Sequence, residues 1–180
     1  MSLVLAIVSM VVFLAIFGPP SADDQERNRI LVAVLNGTHA WVALLLVAVT
    51  PGVCEELLFR GFVQTRLVQR FGPALGILVA AALFAAMHMH PMQSFIVFPV
   101  GVLFGVLAWA SRSVVPSMAA HAVYNASVLG FAKGASTFIE QGTVDVPAES
   151  GPWLSIPVFV VLTGLTLTPV AVYRLLRPPP

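Results

Sequence analysis

Cysteine is almost absent: the lone Cys54 excludes an internal disulfide, so the fold must rest on packing and on hydrogen bonds made within the backbone. Charge is nearly as scarce. Only 9% of residues are Asp, Glu, Lys or Arg, against about 25% in a soluble domain, which excludes an ordinary water-facing surface. Nine Lys and Arg against eight Asp and Glu leave a net charge of +1. That is too little for the basic footprint a phosphate backbone demands, so nucleic acid is excluded as the main partner. No internal repeat stands out either. What fills the chain instead is apolar: 58% of residues are hydrophobic, with a mean hydropathy of +0.94. At 180 residues there is room for one domain, and the composition makes it an integral membrane domain over residues 1–180.

A membrane span needs about 20 mainly apolar residues, and the few charges divide the chain into such runs. The first, Ser2 to Phe17, ends at Gly18-Pro19-Pro20. It reads as a span and not a signal peptide, because no Lys or Arg precedes Arg27, although Pro20-Ser21-Ala22 resembles a cleavage site. The second, near Ile30 to Thr50, meets Pro51-Gly52, which predicts a break or kink before a helical stretch from Val53 to Arg70. Phe71-Gly72-Pro73 reads as a turn. Runs near Ala74 to His90, Gln93 to Ala110 and Val115 to Ala132 follow, punctuated at Pro91 and Ser111-Arg112-Ser113. After a polar segment from Lys133 to Gly151 comes a last run, Pro152 to Tyr173. The expectation is an all-α, polytopic transmembrane helical bundle of about six helices. With both termini on one face, that face collects Arg66, Arg70, Arg112, Arg174 and Arg177 and is expected to be cytoplasmic.

An ionisable side chain at the bilayer centre costs at least about 2.5 kcal/mol, so one lying inside an apolar run points to a functional site. Glu55, Glu56, Arg60, His88 and His121 are such residues. Glu56 and Arg60 stand four apart with Glu first, the favourable order for an ion pair on one helix. Glu55 points about 100° away, and Leu58 and Phe59 occupy its i+3 and i+4 positions. An unpaired buried carboxylate there would be poised for proton transfer. A helix-capping role after Pro51-Gly52 is the structural alternative for both acids. Counted from the turn at Phe71 and Gly72, Glu55 and His88 each lie about 25 Å along antiparallel helices and should share one level. His121 and Asn125, four apart, share a helical face roughly 13 to 20 Å from the turn at Arg112. A carboxylate, two imidazoles and an amide arriving from three helices supply what hydrolysis requires: a base for water, and donors for an oxyanion.

Three short motifs occur in order: Glu55-Glu56-Leu57-Leu58-Phe59-Arg60 as E-E-x-x-x-R, Phe84-Ala85-Ala86-Met87-His88 as F-x-x-x-H, and His121-Ala122-Val123-Tyr124-Asn125 as H-x-x-x-N. On these the chain resembles the CAAX protease and bacteriocin-processing (CPBP, or Abi) family of intramembrane endopeptidases, which includes the type II CAAX prenyl endopeptidase. The resemblance covers about Val53 to Ser127 and implies a catalytic core there. It implies Glu55 as general base on a water held with His88, His121 and Asn125 as oxyanion stabilisers, and Glu56 with Arg60 as structural support of the site. It also implies a membrane-anchored protein or peptide substrate, prenylated or not, and a prokaryotic cell membrane as the location. A zinc-dependent version would use Glu55, His88 and His121 as ligands; without His-Glu-x-x-His, the metal-free version with no cofactor is preferred.

Other residues read as packing. Cys54 is expected to be a small buried hydrophobe and not a nucleophile, and His39 and His90 to be interfacial. Phe84 shields His88 from lipid, Gly101 and Gly105 let helices approach, and Arg66 and Arg70 snorkel to headgroups. Two non-catalytic alternatives carry the same residues: a proton-linked transporter, and an immunity or scaffold membrane protein.

Overall fold

A computed structural model describes the backbone of residues 37–140 and a few isolated positions before them; its side chains are described to Gly130, Met92 and Ile96 excepted. The first run, the last run and the orientation of the termini lie outside the described residues. Every regular element among the described residues is helical. We label them α1 (Ala40–Phe71), α2 (Pro73–Ala86), α3 (Pro91–Ser111) and α4 (Val115–Glu140). Backbone contacts group them in two compact units, one holding residues 37–49 and 124–140 and the other residues 50–123. In the first, Ala43 and Leu129 are buried together against Val47. The second carries the acid and imidazole residues of the three motifs, while Asn125 falls in the first.

Pro51-Gly52 does not interrupt α1. The stretch Leu44–Val49 is wound as a π-helix and leads into an α-helical stretch from Thr50 to Glu56. Proline's ring clashes with the carbonyl four residues back, and a wider turn just before it relieves that crowding. A second π-helical stretch, Leu57–Gln64, turns Phe59, Arg60 and Gln64 inward. Where it returns to α geometry, the Thr65 hydroxyl donates to the carbonyls of Arg60 and Gly61, both at 3.0 Å.

The two expected turns are present. Gly72, at φ 80°, ends α1, and Pro73 opens α2 at a position where its missing N–H costs nothing. Arg112, at φ 53°, closes α3, and Ser113 Oγ accepts the Val115 N–H at the start of α4. Helix α2 stops at Ala86, short of the expected His90, because Met89 adopts a left-handed φ of 51°. Helix α4 runs past Ala132 to Glu140: Lys133 and Glu140 change polarity without breaking a helix, and no proline follows until Pro147.

Among the described residues two helices are long and apolar enough to cross a membrane: Ala40–Phe71, with mean hydropathy 1.9, and Gln93–Ser111, with 2.0. Only 28% and 35% of their most apolar windows are buried inside the protein. The remaining apolar surface, including Leu45, Leu46, Leu57 and Phe62, is exposed where a soluble fold would cover it.

At Gly52 the backbones of α1 and α4 meet. A Cβ built there would lie 2.9 Å from Ala122 N and 3.1 Å from its Cα, atoms that cannot swing aside. Gly52→Ala is therefore expected to force the helices apart next to His121 and to cost about 1–3 kcal/mol, the usual penalty of overpacking. Gly61→Ala is the control, since its Cβ would meet Val114 Cγ1 at an ordinary 3.9 Å. Melting curves in detergent should show a loss for the first substitution only.

Candidate active site

Adjacent carboxylates on α1 receive different surroundings. Glu56 has no exposed side-chain surface, whereas the Glu55 side chain is 26% exposed. Glu56 Oε1 lies 2.8 Å from Arg60 Nη1. Nη1 nevertheless has no hydrogen-bond partner among the described residues, so this contact is a close ion pair off the N–H direction. The guanidinium is fixed by its other arm: Nη2 donates to the Gly101 carbonyl at 2.9 Å, and the plane sits 4.4 Å above the Phe84 ring.

Glu56 Oε1 also accepts from His121 Nδ1 at 3.0 Å. An ionised carboxylate only accepts, so Nδ1 carries the hydrogen and Nε2 is the edge turned toward Glu55, whose Oε2 is 3.9 Å away. Glu55 thus gains a neighbour from another helix, in place of the unpaired burial expected from its own helix face. Two rings hold the imidazole flat: Phe104 stacks on it at 5.1 Å with 28° between planes, and Phe84 meets it edge-on at 5.8 Å.

His88 follows the end of α2. Its Nδ1 lies 3.0 Å from the Phe84 carbonyl, an acceptor, so the neutral ring keeps its lone pair on Nε2. The Phe84 ring meets His88 edge-on at 5.3 Å. Phe84 therefore does more than shield one imidazole from lipid: it stands against both His88 and His121, and against Phe59 and Arg60 as well. Among the described residues the contacts of His88 are with Phe84, and none is with Glu55. Asn125, one turn past His121 on α4, is half-buried, and its role rests on spacing and resemblance alone.

Among the described residues no three His, Cys, Asp or Glu side chains group as a metal ion's ligands. His88 and His121 each use Nδ1 in another contact, which leaves Nε2 as the edge that either could turn to a ligand. His90 caps α3, its Nδ1 accepting the Gln93 N–H at 3.4 Å. Cys54 is exposed and not buried as expected, on a helix whose neighbouring Val53 and Leu57 also face outward.

A family model described as type II CAAX prenyl endopeptidase Rce1-like matches residues 37–127, half of the chain. The chain belongs to that family. No curated protein and no solved structure matches it. Membership, with two exposed apolar helices, makes this a membrane protein of a CAAX endopeptidase family.

Two residues of the site, Phe104 and Gln64, and one contact, Glu56 with His121, are not among those expected from the sequence. Phe104 gave no signal, being one aromatic in an apolar run. Helical spacing pairs Glu56 with Arg60 alone, and its contact with His121 joins residues 65 positions apart. Gln64 was legible in principle, as an amide within an apolar helix one turn beyond Arg60.

Proposed function

We propose that this protein is an intramembrane endopeptidase that hydrolyses a peptide bond of a membrane-anchored substrate with water activated by Glu55. The observation that carries the reading is the unequal pair on α1. Glu56 is sealed and neutralised by Arg60, while Glu55 keeps an accessible carboxylate with Oε2 3.9 Å from His121 Nε2. A general base must be both near its partner and reachable by water.

In the proposed reaction His88 Nε2 helps hold the water, and Glu55 takes one of its protons as the oxygen adds to the substrate carbonyl. His121 and Asn125 stabilise the resulting oxyanion. On collapse the C–N bond breaks, and Glu55 returns the proton to the leaving amine, so one water is consumed and the enzyme is unchanged. Glu56 and Arg60 hold His121 in place throughout. The family description supports a prenylated CAAX-type peptide as the first substrate to try.

The test uses purified protein in liposomes with membrane-anchored peptides, prenylated and unprenylated. Wild type is expected to cleave, and His88→Ala to lose about 10²-fold or more in kcat/KM. Addition of a zinc chelator is expected to leave the rate unchanged. Cleavage that survives loss of both Glu55 and His88 would remove this site from the chemistry.

A further inference from the structure

We infer that Gln64 is a positioning residue of this site, acting through Phe104 on His121. The inference rests on the endopeptidase reading, which gives His121 its task. Gln64 lies four residues beyond Arg60 on α1 and is 4% exposed. Its Nε2 donates to the Gly105 carbonyl at 2.9 Å, as Arg60 Nη2 donates to the Gly101 carbonyl at 2.9 Å. Donors four apart meet acceptors four apart, so α1 and α3 are joined by two parallel rungs. Each helical carbonyl has a second lone pair free to accept such a bond.

The two glycines serve these rungs. A Cβ at Gly105 would stand 2.6 Å from Gln64 Oε1 and 2.9 Å from Ile77 Cγ2. One at Gly101 would stand 3.0 Å from Phe84 Cδ1. The G-x-x-x-G spacing thus admits side chains from α1 to the α3 backbone.

Phe104 directly precedes Gly105, is fully buried, and is the ring stacked on His121. Helix α3 packs along α2, with Phe84 and Ile77 against its two glycines; beside that packing, the rung at Gln64 holds the α3 backbone at Gly105 and with it the height of Phe104 against the imidazole. Packing alone does not explain the amide. Gln64 Oε1 has no partner among the described residues, and an apolar side chain of the same length would fill the space without burying that acceptor. What such a side chain would lack is the N–H that holds Gly105.

The experiment compares the full chain in nanodiscs as wild type, Gln64→Met, Gly105→Ala and the double variant. It reads kcat and KM on the membrane-anchored peptide and the imidazole resonances of histidine-labelled protein. Gln64→Met is expected to lower kcat by about tenfold to a hundredfold with KM within about twofold, and to shift the His121 ring signals away from their Phe104-stacked position. Gly105→Ala should reproduce both changes, and the double variant should be no worse than the worse single one. Unchanged His121 signals and kcat in Gln64→Met, or losses that multiply in the double variant, would overturn the inference. If Gln64→Met does not fold, Gly105→Ala is judged by the same two signals. An inactive wild type would sink the endopeptidase reading, while the His121 resonances would still decide whether Gln64 governs that ring.

Discussion

Glu55→Gln is expected to reduce cleavage by about 10²- to 10⁴-fold, the range that a positioned general base supplies. The amide keeps the size and the hydrogen-bonding capacity of the side chain, and position 55 is partly exposed, so folding should be unaffected. Substrate binding should also persist, because the lost interaction is a proton transfer made only on the way to the transition state. The expected pattern is therefore a fall in kcat with KM nearly constant. The adjacent carboxylate should not substitute, since Glu56 is held by Arg60 and His121 and has no exposed surface. Retention of more than about a tenth of wild-type kcat would mean that water is activated elsewhere.

Arg60→Met should give the largest loss of stability. It leaves Glu56 buried without its cation, and breaking one side of a buried pair costs about 3–5 kcal/mol. The bond to the Gly101 carbonyl and the guanidinium contact with Phe84 go with it. Adding Glu56→Met to the same protein should recover part of the loss, because no buried charge is then left uncompensated. Unfolding in mixed micelles at neutral pH would measure both. A loss under about 1 kcal/mol for Arg60→Met would show that the pair behaves as an exposed one, contrary to its burial.

Local chemistry made some of the site readable in advance. Glu56 and Arg60 lie four apart on one helix, and nothing beyond helical geometry is needed to bring them together. Gly72-Pro73 and Ser111-Arg112-Ser113 were equally plain, because glycine, proline and serine act on their own backbone. The fate of Pro51 was not readable. Whether a proline breaks a helix or is absorbed by a π-helical turn beside it depends on what the neighbouring turns pack against. The end of α2 at Ala86 is not legible for a different reason: Met89 has no intrinsic preference for the left-handed conformation it adopts, and its side chain is almost fully exposed.

By itself, the sequence determined that this chain belongs in a lipid bilayer, that it is helical, and which ionisable residues interrupt its apolar runs, because solvation free energy and helical period are properties of short segments. Only the tertiary structure decided which of two neighbouring carboxylates is sealed and which is open. It also brought Glu56 to the Nδ1 side of His121 and Phe104 to its face. These pairings join residues on different helices, 65 positions apart for Glu56 and His121, and their distances are set by how helices rotate and slide against one another, a collective result of packing that no local pattern encodes.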